Sequence, residues 1–252
     1  MLYAIHISSL SSVYLNSTEK SKQTSQLLFG EVCAVKSERD NFYYIENYND
    51  KHCGWVIKTS FALIERSEYN ILKEQQAQRV CLPLVETINL EDNTIVYLPA
   101  GSLIRAFNPV SKVFYVQGVK YCVRYDSIIA MPYGLIDSIE KTALAFLNAP
   151  LMYGGKSILG LDASGYIQLI FSLCGYALPR SSQEQMNVGV SVYSLEQLRL
   201  GDVVFVSKDE VVIYSYIYLG EERFIGVEEK VKICNLSEID IDTYTITIRR
   251  LI

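Results

Sequence analysis

The chain has 252 residues, half of them hydrophobic, and a formal net charge of −5. That length exceeds one small domain, and the apolar fraction supplies two or three small cores and argues against a disordered chain. No dense Lys/Arg run offers a footprint for a phosphate backbone, so no nucleic-acid partner is expected, and no apolar run approaches the ~20 residues that span a bilayer.

Met1-Leu-Tyr-Ala-Ile-His6 has no basic segment ahead of a long apolar stretch and does not read as a signal peptide. With Met1 as the natural start the expected address is the cytoplasm; a chain whose export signal had been removed, bound for the periplasm or cell envelope, would read the same. From Leu2 to about Arg66, the runs Ala4–Ser8, Val32–Lys36, Phe42–Glu46 and Cys53–Ile57 alternate with polar turns. This pattern predicts a small barrel or sandwich, with Trp55, the single tryptophan, in its core. The texture repeats over 75–131 with Arg79–Leu84, Thr94–Leu98, Leu103–Phe107, Val113–Val116 and Tyr121–Tyr125, and with turns at Pro99-Ala-Gly101 and Asn108-Pro109. The cysteines Cys33, Cys53, Cys81, Cys122, Cys174 and Cys234 are widely spaced and form no C-x-x-C pair. They read as buried free thiols rather than zinc ligands, and neither a metal nor another cofactor is expected.

A helix is predicted over 136–148, where Asp137 and Glu140 have capping-box spacing and Ile139, Ala143, Leu144 and Leu147 form a stripe. A second helix starts after Asp162, an acidic N-cap, carries an apolar run from Tyr166 to Cys174, and stops at Gly175. The first turn of such a helix stabilises a thiolate through its unpaired N–H groups and dipole. Strand-like runs follow at Val203–Ser207, Val211–Leu219, Arg223–Val227, Lys230–Asn235 and Thr243–Ile248. A helical layer on an antiparallel sheet is an α+β arrangement. Alternation puts Tyr214, Tyr216 and Tyr218 on one strand face, with Ser215 and Ile217 on the other.

The segments Pro150-Leu-Met-Tyr-Gly-Gly155, Gly160-Leu-Asp-Ala-Ser-Gly165, Leu178-Pro-Arg-Ser-Ser-Gln183 and Leu200-Gly-Asp-Val-Val-Phe205 together resemble the core of the NlpC/P60 cysteine peptidases. Ser25-Gln-Leu-Leu-Phe-Gly-Glu31, with Gly54-Trp-Val56, resembles the bacterial SH3 domain that precedes many of them. The resemblance implies a multidomain chain: an SH3-like barrel over 1–70, a second, divergent SH3-like barrel over 71–131, and a papain-like α+β domain over 132–252.

In the family pattern Asp-Cys-Ser-Gly, the residue after the aspartate is the nucleophile; here it is Ala163, whose methyl group cannot attack. The base belongs to a pattern like His-Val-Gly-Ile-Tyr-Leu-Gly, aligned with Tyr214-Ser-Tyr-Ile-Tyr-Leu-Gly220, so Tyr214 replaces it. A phenol with a pKa of about 10 is a poor base near neutral pH. The third polar position, in a Phe-Ile-His-Ala pattern, falls on Gly226. The only histidines, His6 and His52, belong to the first barrel, on segments expected at its surface. Cys174, eleven residues past Ala163, is ~16 Å along the helix and expected in the core, and Ser164 is expected to make a first-turn hydrogen bond. An engineered Cys→Ala change would leave the base in place, whereas three positions differ.

Similar enzymes with two SH3 domains, of the γ-D-glutamyl-L-diamino acid endopeptidase or dipeptidyl peptidase VI type, act on peptidoglycan stem peptides. Their Tyr-x-Trp-Gly-Gly pattern becomes Leu151 and Tyr153 here, and Arg-Asp-Ser becomes Arg180-Ser181-Ser182. The expected reading is a catalytically inactive homologue that binds or regulates, with a peptidoglycan-derived peptide or a protein as partner. Its candidate ligand contacts are Tyr153, Ser164, Ser181, Ser182 and Tyr214. Two alternatives stay open: an active cell-wall peptide hydrolase with chemistry relocated to Asp162, Glu228 or Glu229, and a structural protein whose cleft is filled by Tyr153 and Tyr214. Nothing in the sequence sets an oligomeric state.

Overall fold

The computed structural model describes residues 2–75, 77–124, 138–238 and 243–251. They form two compact units, spanning 1–131 and 132–252.

In the first unit, β1 (Leu2–His6), β2 (Leu10–Tyr14), β3 (Gln23–Leu28), β4 (Val32–Arg39), β5 (Phe42–Asn47), β6 (Cys53–Ile57) and β7 (Phe61–Ile64) make one antiparallel sheet in the order β3-β2-β6-β5-β4-β1-β7. α1 (Arg66–Glu74) follows β7, and then come β8 (Gln78–Arg79), β9 (Leu84–Asn89), β10 (Ile95–Pro99), β11 (Leu103–Ile104), β12 (Val113–Val116) and β13 (Val119–Val123). β10-β9-β13-β12 form a four-stranded sheet and β11 pairs with β8. One core runs through both halves: Ile5, Phe29, Ile64 and Tyr69 pack with Leu98, Ile104, Phe114 and Tyr121. The Phe29 ring meets Phe114 edge-on at 6.1 Å and Tyr121 at 5.6 Å, the T-shaped contact that aromatic quadrupoles favour. Divisions 1–70 and 71–131 thus lie within one packed unit.

Several sequence expectations change here. β1 starts and ends two residues earlier than the run Ala4–Ser8, β9 falls on Leu84–Asn89 rather than on Arg79–Leu84, and α1 occupies a stretch for which no element was predicted. Trp55 is half-buried against Tyr44, with ring centroids 5.2 Å apart. Its neighbours Gly54 and Val56 face the core instead, because successive strand residues point to opposite faces. His6 is fully buried, not at the surface: Nδ1 donates to the Leu28 carbonyl at 3.0 Å and Nε2 bonds Ser11 Oγ at 2.8 Å, so the ring enters the core with both nitrogens partnered. His52 is half-buried, with Nε2 3.0 Å from Thr24 Oγ1. All six thiols are free, but only Cys33, Cys174 and Cys234 are buried, and Cys53 is exposed at the start of β6.

The second unit contains α2 (Ile139–Leu144), β14 (Lys156–Ser157), β15 (Gly160–Leu161), α3 (Ala163–Leu173), α4 (Ser182–Gln185), β16 (Val190–Val192), β17 (Val203–Lys208), β18 (Val211–Gly220), β19 (Arg223–Val227), β20 (Val231–Asn235) and β21 (Thr245–Arg250). Its antiparallel sheet runs β16-β21-β17-β18-β19-β20, and α3 packs across β18 and β19. Val204, Val206, Tyr216, Phe224, Cys234 and Ile248 form a core cluster on one sheet face. Ser215, Ile217 and Ile225 alternate onto the other and are fully buried. The predicted helix over 136–148 is observed as α2; Asp137, half of the proposed capping box, lies outside the described residues. Leu147 is 41% exposed and Phe146 takes its place in the core, because α2 ends at Leu144 and the next turn no longer follows the helical stripe. Tyr125, at the end of another predicted run, is also outside the described residues. Among the described residues no helix is long and apolar enough to cross a membrane.

Phe29→Ala is expected to cost about 3–5 kcal/mol, since it empties a fully buried position gripped by two aromatic rings. Urea unfolding followed by the single tryptophan, which lies in the same unit, measures it.

Candidate functional site

The helix predicted after Asp162 is α3, and Ala163 is its first residue, half-buried. Asp162 is the N-cap in extended conformation, with Oδ1 accepting from the Gly165 N–H at 2.7 Å. Its other oxygen accepts from the Gly154 N–H at 2.8 Å. Arg180, only 5% exposed, forks onto the same carboxylate, with Nη1 3.0 Å from Oδ1 and Nη2 2.9 Å from Oδ2. Gly165 has to be glycine, because a Cβ there would lie 2.2 Å from the Gly155 carbonyl oxygen. The Asp-Ala-Ser-Gly turn is therefore pinned from three sides: by its own helix, by the 154–155 turn and by Arg180.

That network occupies the polar atoms nearest Ala163. Ser164 Oγ donates to Asp162 Oδ1 at 3.2 Å and accepts from Arg180 Nη1 at 2.8 Å, so its predicted first-turn hydrogen bond closes a triangle. A hydroxyl that donates to a carboxylate already bound by a guanidinium is not activated for attack. Asp162, one of the residues considered for relocated chemistry, is fully engaged as a cap and ion-pair partner.

α4 links this turn to the sheet. Gln185, fully buried, donates through Nε2 to the Ser164 carbonyl at 3.0 Å and the Pro179 carbonyl at 2.8 Å. Ser182, at the other end of α4, has its Oγ 3.4 Å from that of Ser215 on β18. The head of α3 and Ser215 on β18 are thereby linked through α4, although they are some fifty residues apart. Gln185 was not singled out from sequence; a lone glutamine in a polar stretch gives no signal of burial. Ser181 is the N-cap of α4, accepting from the Glu184 N–H at 3.3 Å and donating to Glu184 Oε2 at 2.5 Å. Its hydroxyl is committed to that cap.

Tyr214, 37% exposed, stacks on Tyr216 with centroids 6.1 Å apart, on the strand face opposite Ser215. Tyr153 is 76% exposed. Neither ring fills a cleft, so the plugged alternative is not what the structure contains.

Tyr216 is directly opposite Gly226 in the β18–β19 pairing. A Cβ added at Gly226 would lie 2.6 Å from Tyr216 Cδ1 and 3.1 Å from Cε1. The Ser215 carbonyl oxygen lies equally close, at 2.6 Å, so the space of a side chain at 226 is closed by backbone as well as by the Tyr216 ring. Tyr216 donates its hydroxyl to Glu228 Oε1 at 3.0 Å, and Lys232, in register with Gly226, reaches Glu228 Oε2 at 3.0 Å. Burial first, and then the Glu228 charge, push the Tyr216 phenol far above its usual value. The hydrogen bond to Glu228 raises Lys232, which therefore remains an ammonium. Neither supplies a base near neutral pH. Glu229, the other acidic residue considered for relocated chemistry, is exposed and supplies its backbone carbonyl to Leu151.

The two thiols of the second unit offer no substitute nucleophile. Burial raises Cys174, the C-cap of α3 and buried as expected, and raises Cys234 to about 11. No group of three or more His, Cys, Asp or Glu side chains among the described residues is arranged to hold a metal ion.

Comparison with known proteins places this geometry. The profile of the NlpC/P60 family matches residues 148–250. The chain is 23% identical over 240 residues to a γ-D-glutamyl-L-lysine dipeptidyl-peptidase of Bacillus subtilis (strain 168), covering 90% of this chain and 80% of that protein. It is 30% identical over 112 residues to a probable endopeptidase of Haemophilus influenzae, covering 43% of this chain and 69% of the other. The crystal structure of an NlpC/P60 family protein from Bacillus cereus shares the fold over 99% of both chains, with a TM-score of 0.86 at 19% identity.

Two measurements test the site's architecture. Arg180→Met is expected to destabilise the protein by about 3 kcal/mol in chemical denaturation, because it strands the Asp162 carboxylate among its remaining donors. In the folded protein Cys234 titrates at about 11, above the ~8.5 of an unfolded chain, so the folded state holds the extra proton between those values. Its contribution is complete below about pH 8.5 and is lost as pH rises through 11. Cys234→Ala should therefore flatten the alkaline fall in stability relative to the parent protein.

Proposed function

This chain belongs to the NlpC/P60 family, and we propose that it is a member that holds its ligand without cutting it. The ligand class is a peptidoglycan-derived peptide of the γ-D-glutamyl-L-lysine kind named in its Bacillus subtilis relative, and the protein acts as a binding or regulatory module. Ser164, Ser182, Tyr153 and Tyr214 are its candidate contacts, with Ser181 shaping the α4 cap beside them. We retain 1–70 and 71–131 as two SH3-like barrels sharing one core, and 132–252 as the papain-like domain.

One observation carries this reading: the Tyr216 ring and the Ser215 carbonyl oxygen together close the space that a side chain at position 226 would need. In the family pattern 216 is glycine and 226 histidine, so both positions differ here. Ala163 and Tyr214 supply neither nucleophile nor base, and the nearest hydroxyl and carboxylate are bound to Arg180. A chain that had lost the cysteine alone would have kept the rest of the machinery.

The test has two arms. The purified protein, incubated at high concentration with a peptide containing the γ-D-glutamyl-L-lysine bond, should release no product by mass spectrometry; turnover abolished by a single change in the pocket would sink the reading. Gly226→His alone is expected to lower stability by about 1–3 kcal/mol through overpacking. The pair Tyr216→Gly and Gly226→His should recover part of that loss in thermal unfolding, with the Ser215 carbonyl oxygen, 2.6 Å from the added Cβ, accounting for the remainder. Ala163→Cys with Tyr214→His is expected to gain hydrolysis only on this double-reverted background.

A further inference from the structure

On the sheet face of the tyrosine row, away from α3 and Ala163, is a groove of about 320 Å³ lined by Leu195, Glu196, Leu198, Tyr218, Glu222 and Phe224. Its floor is aromatic: Tyr218 and Phe224 face each other across β18 and β19, with ring centroids 5.1 Å apart. Leu195 and Leu198 flank them from the 3-10 turn Leu195–Gln197 and the residue after it. The two remaining lining residues are glutamates from separate segments.

Neither carboxylate has a cation. Among the described residues no ion pair is formed by Glu196 or Glu222. Arg223, next to Glu222 in sequence, is taken by Glu140 at 3.1 Å and Glu221 at 4.0 Å. Arg250, which reaches the Gln197 carbonyl, pairs with Asp202 at 2.7 Å. The hydroxyl of Ser194 and a backbone N–H hold Glu196 below the usual carboxylate range, so it is ionised at neutral pH. Glu222 is presented by a two-residue hairpin turn in which Glu221 and Glu222 have φ of 53° and 58°. Glycine or asparagine fits that turn with less strain, and two glutamates occupy it instead.

An apolar aromatic floor with two negative charges that have no ion-pair partner at its walls complements a positive charge carried on a short hydrocarbon arm. The arm packs on Leu195, Leu198 and the rings, and the charge meets both carboxylates and the π faces. We propose that this groove is a binding site for an alkylammonium group such as a lysine side chain. It is distinct from the Ala163 neighbourhood, and its test uses none of those residues.

The experiment is an amide-resolved NMR titration of the full chain with N-acetyl-lysine methylamide, and in parallel with its uncharged isostere N-acetyl-norleucine methylamide. The lysine probe should bind in the millimolar range and shift the amides of 195–198 and 218–224, weakening as sodium chloride is raised. The norleucine probe should bind at least tenfold more weakly. The double variant Glu196→Gln, Glu222→Gln alters two exposed side chains and should keep the native spectrum elsewhere while losing at least tenfold in affinity for the lysine probe. Equal binding of the two probes, an unchanged affinity in the double variant, or shifts confined to other residues would each overturn the proposal.

Discussion

The second unit depends on the fork of Arg180 onto Asp162. Two buried charges brought together recover their desolvation only if geometry is good and the remaining lone pairs are satisfied. Here both conditions hold, since the carboxylate also accepts from the N–H groups of Gly154 and Gly165. Replacing the pair by hydrophobic residues would leave those two N–H groups without an acceptor at a helix start. The ion pair therefore persists as the device that holds the 154–155 turn, the head of α3 and the segment before α4 in one arrangement, independent of any reaction at position 163.

From that fixed point the polar connections run outward in a definite order. Arg180 orients Ser164, the Ser164 carbonyl receives Gln185, and α4 delivers Ser182 to Ser215 on β18. On the reverse face of that strand a second chain of contacts, Tyr216 to Glu228 to Lys232, surrounds Gly226. In these two chains every charge and hydroxyl is met by another group, and Gln185 Oε1 is the buried atom left without a partner. A buried network of this kind specifies one side-chain arrangement and resists piecemeal change.

What was legible in the sequence followed from local chemistry. Asp162 as a cap, the buried run of α3 and the alternation of Tyr214, Ser215 and Tyr216 need only neighbours in the chain to be read. Misreadings arose where long-range partners decide. His6 looked like a surface residue because its two hydrogen-bond partners, at Leu28 and Ser11, are brought to it by sheet pairing. Trp55 was assigned to the core by residue type, yet its phase along β6 sends it to the other face. Gln185 and the Tyr216–Gly226 exchange were invisible for the same reason, since no spacing rule connects α4 to α3 or one strand's glycine to the next strand's ring. The family pattern located the altered positions, and only the packing revealed that the Tyr216 ring and the Ser215 carbonyl oxygen close the space beside Gly226.

Position 226 is closed from two directions. The Tyr216 ring and the Ser215 carbonyl oxygen each lie 2.6 Å from its Cβ position, so a histidine there would be overpacked against ring and backbone alike. Removing the ring relieves one contact and leaves the other, since a carbonyl oxygen within a paired strand moves only with its sheet. The tyrosine also ties its hydroxyl to Glu228, so the space beside Gly226 is a packed and hydrogen-bonded surface.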